Sequence, residues 1–223
     1  MLLKRPLSLL VILTFLLLSL PLVADLNISS RVLDKIEAQY NKFARKRVED
    51  WQKLVAENKD LPEAEKLELV NQFFNTNVLF IDDIDLWNKK DYWATPLEML
   101  SIGGGDCEDY SIAKYFTLKE LGVDEDKLRI TYVKAKELNQ AHMVLTYFKT
   151  KRSVPLVLDN LITDIKPATQ RNDLTPVYSF NGTGLWLAKS RGEGQRVGGS
   201  SRLSLWQDLE KRMQKQAEEA TSE

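Results

Sequence analysis

The 223-residue chain contains one cysteine and one histidine. A single cysteine excludes an internal disulfide, so no covalent staple holds the fold. There is no surplus of positive charge either: 31 basic and 32 acidic residues leave a net charge of −1. That excludes the basic excess by which a nucleic-acid-binding domain is recognised. No segment repeats. The length allows one domain with a substantial core, or at most two small ones.

What is present begins with "MLLKRPLSLLVILTFLLLSLPLVAD". Lys4 and Arg5 precede an almost wholly apolar run from Leu7 to Leu20. Pro21 breaks the run, and Leu22-Val23-Ala24 stands before Asp25. This is the pattern of a secretory signal peptide over residues 1–24. An uncleaved anchor is the alternative, because the run approaches the length that spans a bilayer. Either way, residues 25–223 are expected outside the cytoplasmic membrane as one domain. A lone thiol in an exported protein is an intermolecular link, a reactive group or a small buried apolar residue.

Apolar residues recur at helical spacing over residues 30–57: Val32, Ile36, Tyr40, Phe43, Trp51 and Leu54 or Val55. They predict one long amphipathic helix with Ser29 or Ser30 at its start. A second helix restarts after Leu61, with Pro62 at an early position and Leu67, Val70 and Phe74 on its apolar face. The stretch "FIDDIDLWNKKDYWATP" reads as an acidic, aromatic loop. Pro96 then opens a short helical turn that stops at Gly103-Gly104-Gly105. Residues 107–121 predict a buried central helix, since Ile112, Ala113, Tyr115, Phe116, Leu118 and Leu121 cover much of its circumference. Gly122 suits its C-terminal cap. Four strands follow, in "KLRITYVKA", "AHMVLTYF", "VPLVLDN" and "PVYSFNG". Residues 188–202, rich in Gly and Arg, read as a mobile loop. Leu205, Leu209 and Met213 open a helical tail with a fraying end. Helices first, then a meander of strands, give an α+β class with a central helix against an antiparallel sheet.

The chemistry concentrates in "GGGDCEDY". Asp106 is a natural N-cap, which places Cys107 in the first helical turn among unpaired N–H groups at the positive end of the dipole. Both favour a thiolate, the nucleophilic form. The same N–H groups can receive the oxyanion of an acyl intermediate. The three glycines would let a substrate backbone approach closely. Asp106 and Glu108 oppose this, because neighbouring like charge raises a thiol's pKa. A hard cation such as calcium, held by those two carboxylates with backbone carbonyls or the acidic 82–85 stretch completing its shell, would remove the conflict. The plainer account makes the acids a helix cap. His142 is the one imidazole available as a base. It lies near the start of one strand, and Asp159 ends the next, so paired antiparallel strands can set them side by side. Asp159 would then hold one ring nitrogen and direct the other at sulfur.

"DYWATPLEMLSIGGGDCEDYSIAKYFTLKELGV", "AHMVLTY" and "VLDN" resemble the bacterial transglutaminase-like cysteine proteinases, and among them the LapG-type periplasmic proteases. The resemblance covers roughly residues 30–190. It implies a papain-like, transglutaminase-like fold with Cys107 as nucleophile, His142 as general base and Asp159 as orienting acid. It also implies a calcium site using Asp106 and Glu108. The implied substrate is the N-terminal region of a large surface adhesin, whose cleavage releases cells from biofilm. The implied partner is the periplasmic domain of an inner-membrane cyclic-di-GMP receptor that sequesters the protease; aromatic and apolar residues near the cleft, with Trp93 a candidate, are expected to face it. Acyl transfer to an amine needs the same thiol and imidazole and remains the alternative enzyme. A non-catalytic peptide-binding module is the alternative from another class. A peptidoglycan hydrolase of the NlpC/P60 type fits less well, because those commonly use a second histidine.

Overall fold

A computed structural model describes residues 28–187 and 194–221. The signal peptide expected over residues 1–24 lies outside the described residues, as do residues 188–193 of the expected mobile loop. Among the described residues, no helix is long and apolar enough to cross a membrane.

The single helix expected over 30–57 is two, α1 (Ser30–Gln39) and α2 (Lys42–Glu57). The break is made by Asn41, whose side-chain oxygen accepts from the N–H groups of Phe43 at 2.8 Å and Ala44 at 3.0 Å. That caps α2 and ends α1. Arg45 on α2 then meets Asp34 on α1 at 2.5 Å. In one continuous helix, eleven residues would hold them about 16 Å apart, so the chain folds back. The fold-back also turns Phe43 out to solvent, 62% exposed, although the apolar periodicity had placed it on the core stripe.

Helix α3 (Glu63–Asn77) starts after Pro62 and buries Leu67, Val70 and Phe74 as expected. The segment read as a loop starts at the last residue of strand β1 (Leu79–Phe80) and contains the short helix α4 (Asp83–Trp87). Helix α5 (Pro96–Ile102) begins with a reciprocal cap: Glu98 N–H donates to Thr95 Oγ1 at 3.1 Å, and Thr95 N–H donates to Glu98 Oε2 at 2.8 Å. It ends at Gly103. Strand β2 (Gly104–Gly105) pairs parallel with β1 and leads straight into α6 (Cys107–Glu120). Tyr110, Ile112, Ala113, Tyr115 and Leu118 of α6 are all buried. Burying one such side chain is worth about 1.5–3 kcal/mol.

The sheet contains β3 (Leu128–Ala135), β4 (Gln140–Tyr147), β5 (Leu156–Leu158), β6 (Lys166–Pro167), β7 (Leu174–Phe180), β8 (Leu185–Leu187) and β9 (Gln195–Gly198). Its order is β6-β5-β4-β3-β7-β8-β9, antiparallel throughout. The four expected strands are present, but the sheet is not a plain meander. After β6 the chain crosses back to place β7 against β3, so the longest strands occupy the middle. β9 and a turn of 3-10 helix at Ser200–Arg202 lie in the segment expected to be a mobile loop. The tail forms helix α7 (Ser204–Thr221), anchored by buried Trp206 and Leu209.

Helix α6 lies between α3 and the sheet face that carries Ile130, Met143 and Leu145. The opposite face carries Val133, Val144 and Val157, which floor a cavity of about 720 Å³. The cavity lining does not include Cys107.

Candidate active site

Helix α5 ends at Gly103, whose φ of 78° is readily adopted only by glycine. Arg47 on α2 covers this turn and donates to the carbonyls of Leu100 at 2.7 Å and Ser101 at 3.1 Å. At Gly105, a Cβ would sit 2.8 Å from Asp109 Oδ2. The glycines therefore serve contacts within the chain.

Cys107 is the first residue of α6 and is half-buried. Its Sγ lies 3.0 Å from Glu108 Oε2 and also within reach of the Met143 N–H on β4. Among the described residues no hydrogen bond joins it to His142. Burial, then Glu108, then Asp106, push the thiol far above its ordinary range, and the Met143 N–H offsets little of this. The conflict between the thiol and its flanking acids is realised in the fold.

The neighbour of Met143 is His142, at the start of β4. Pairing of β5 with β4 brings the end of β5 alongside it, and His142 Nε2 lies 2.8 Å from Asp159 Oδ1. Both residues are buried. The other Asp159 oxygen accepts from Arg171 Nη2 at 2.6 Å, and Leu161 N–H donates to Oδ1 at 3.1 Å. Burial alone would push this carboxyl up. The bonds from His142 and Arg171 outweigh it and hold Asp159 at about 2. Arg171 also chelates Asp173, with contacts of 2.8 to 3.2 Å. Sequence reading missed Arg171: it lies on a turn, where no periodicity marks it.

A second cluster forms where α4, the loop before α5 and the start of α6 converge. Asp83, Asp106 and Asp109 have carboxylate oxygens within 4.8 Å of one another, as do Asp83, Asp91 and Glu108. Asp109 is committed to the backbone, accepting from Ala94 N–H at 2.7 Å and Asp106 N–H at 3.3 Å. Asp83 Oδ2 accepts from Tyr92 N–H at 2.5 Å. By contrast, Asp83 Oδ1 and Asp106 Oδ1 are buried with no hydrogen-bond partner. Burial and neighbouring acids push Asp83 up to about 6 and Asp106 up to about 10. Burial and Glu108 also raise Asp91, against a bond from Trp93. A helix cap needs no such crowd. Orphaned oxygens of this kind are what a hard cation would satisfy. Asp83 comes from the 82–85 stretch expected to complete the shell, whereas Asp82 and Asp85 are exposed and stand outside both groups. Asp91 was not foreseen. Trp93, expected to face a partner, is instead buried and stacked on Phe180 at 5.4 Å.

A helix that presents cysteine at its N-terminus, packed on an antiparallel sheet whose adjacent strands pair histidine with aspartate, defines a transglutaminase-like fold. The profile of the bacterial transglutaminase-like cysteine proteinases matches residues 32–180. The chain belongs to that family and is a cysteine protease by family. It is similar to solved structures of Legionella pneumophila LapG. The EGTA-treated form is 45% identical with a TM-score of 0.73, covering 84% of this chain and 98% of that one. The calcium-bound form is 47% identical with a TM-score of 0.70, covering 83% and 99%. No curated protein matches the chain.

Proposed function

We propose that the protein is a calcium-dependent periplasmic cysteine endopeptidase with Cys107, His142 and Asp159 as its catalytic residues. The observation that carries this reading is the buried His142–Asp159 pair, 2.8 Å apart, with His142 on the strand that also reaches Cys107 through Met143. With Nε2–H donated to Asp159, His142 presents Nδ1 as the acceptor of the thiol proton. The thiolate adds to the scissile carbonyl. N–H groups at the start of α6 stabilise the oxyanion, and the imidazolium returns its proton to the leaving amine. Water, deprotonated by the same imidazole, then hydrolyses the thioester. Asp159 orients the ring and compensates its charge.

Asp83, Asp91, Asp106 and Glu108 are the residues that would hold calcium. The partnerless Asp83 and Asp106 oxygens support this, as does a relative solved with calcium bound. The ion would offset the carboxylates that push the Cys107 thiol up. The oxygen-only donor set suits calcium better than magnesium, which demands a smaller, near-octahedral shell.

For the substrate, the likeness to LapG supports the N-terminal region of a large surface adhesin. Regulation would come from a cyclic-di-GMP receptor whose periplasmic domain binds the protease. The test is incubation with the N-terminal segment of an adhesin from the same genome. Wild type with calcium is expected to cut it. Cys107→Ala is expected to fold and leave it whole, and His142→Ala to be nearly as inactive, since no other histidine can replace it. Cleavage by Cys107→Ala at the wild-type rate would overturn the assignment.

A further inference from the structure

The turn that presents Asp159 is held from behind by a residue with no part in the chemistry described so far. Lys114, on α6, is 1% exposed. Its Nζ donates to the Asp159 carbonyl at 3.1 Å and to Asn71 Oδ1 at 2.8 Å. Asn75 Nδ2 donates to the same Asp159 carbonyl at 2.8 Å, and Asn71 Nδ2 donates to the Thr163 carbonyl at 2.6 Å. Two helices, α3 and α6, thus grip the backbone of one turn at both ends.

Lysine is almost never fully buried without compelling partners. Its burial here gains no ion pair through Nζ, because Asp159 turns its carboxylate to His142 and Arg171. The titratable groups about Lys114 are Asp159 and, on its own helix, Tyr110, whose ring centroid lies 5.6 Å from Nζ. Helix α3 contributes only Asn71 and Asn75, which do not titrate. Burial draws Lys114 down to about 7, against the opposing pull of Asp159. A donor buried at such a disadvantage, two helical turns from Cys107, has one evident use: it locks the carboxylate's own backbone to the nucleophile's helix.

We propose that Lys114 is a positioning residue for the His142–Asp159 pair, tying the Asp159 backbone to the helix that carries Cys107. The proposal rests on the reading of Cys107, His142 and Asp159 given above. It acts through distance: a turn that drifts takes the carboxylate away from Nε2. Misplacement of about 1 Å can lower a rate by up to about 10²-fold.

His142 is the only histidine, so the imidazole ¹⁵N spectrum of the full mature chain reports one ring. The second readout is the rate of Cys107 alkylation by iodoacetamide in calcium. Lys114→Met keeps most of the apolar stem and removes the donors. It is expected to shift the His142 ring signals toward those of free imidazole and to slow alkylation at neutral pH by about 10-fold or more. A merely structural lysine would lower the melting temperature and leave the ring signals in place. A folded Lys114→Met protein with the wild-type ring spectrum and alkylation rate overturns the proposal. If Lys114→Met does not fold, Asn75→Ala removes the other donor to the same carbonyl from a half-buried position. A smaller shift in the same direction is then expected, and an unchanged spectrum overturns the proposal. Asp159→Asn separates the two claims. If it moves the ring signals while Lys114→Met does not, the positioning role alone fails. If Asp159→Asn moves neither signals nor alkylation, the reading of the pair itself fails.

Discussion

Asp159 and Asp83 are both buried carboxylates, and their surroundings drive them in opposite directions. Asp159 is surrounded by donors, and its pKa lies at about 2. A carboxyl depressed in the folded state stabilises the fold above its unfolded pKa, and that stability disappears as pH falls through the folded value. Asp159 should therefore contribute about 2 kcal/mol above pH 4, lost toward pH 2. Asp159→Asn leaves Arg171 with a poorer partner and should destabilise the protein by about 3 kcal/mol at neutral pH. The gap to wild type should narrow in acid, as read by urea unfolding across that range. Asp83 is raised to about 6, so in calcium-free protein the sign reverses. The folded state holds the proton more tightly, and stability falls as pH rises from about 4 through about 6. Chelated wild type should lose on the order of 1–2 kcal/mol over that interval. Chelated Asp83→Asn should lose less and melt higher at pH 7, yet gain nothing from added calcium. Equal melting temperatures for the two chelated proteins at pH 7 would show that the partnerless oxygen carries no penalty.

Among the elements, α3, α5, α6 and the central strands were legible because each has its own punctuation. Pro62 and Pro96 open helices, Gly103 and Gly122 close them, and alternation marks β3 and β4. The break between α1 and α2 was not legible. Apolar periodicity runs on through Tyr40 and Phe43, and what decides is one amide side chain bonding two N–H groups ahead of it. Periodicity averages over many residues, whereas a cap is a single choice between a helix interior and its start. Asn41→Ala should cost about 1 kcal/mol, a fall of roughly 2–4 °C in melting temperature for a domain of this size. An unchanged melting temperature would mean that packing of α1 on α2 fixes the break without the cap. The short strands β6, β8 and β9 were also invisible, since two to four residues hold too little pattern to register.

At the scale of the whole molecule, the His142–Asp159 pair was readable because it needed only two neighbouring strands. The acid cluster was half readable. Asp106 and Glu108 flank the cysteine in sequence, but Asp91 reaches them from a loop that no periodicity constrains. The same cluster has a consequence for wear. A protonated thiol reacts slowly with peroxide, and a thiolate reacts fast. The acids that push Cys107 up thus keep the calcium-free enzyme in a chemically sheltered form, and bound calcium would arm and expose it together. Once oxidised to a sulfenic acid, Cys107 has no second thiol in the chain to form a rescuing disulfide, and further oxidation is irreversible. Hydrogen peroxide should therefore consume the thiol faster in calcium than in chelator. Each period of activity would then shorten the enzyme's remaining life, and an idle molecule in calcium-poor surroundings would outlast a working one.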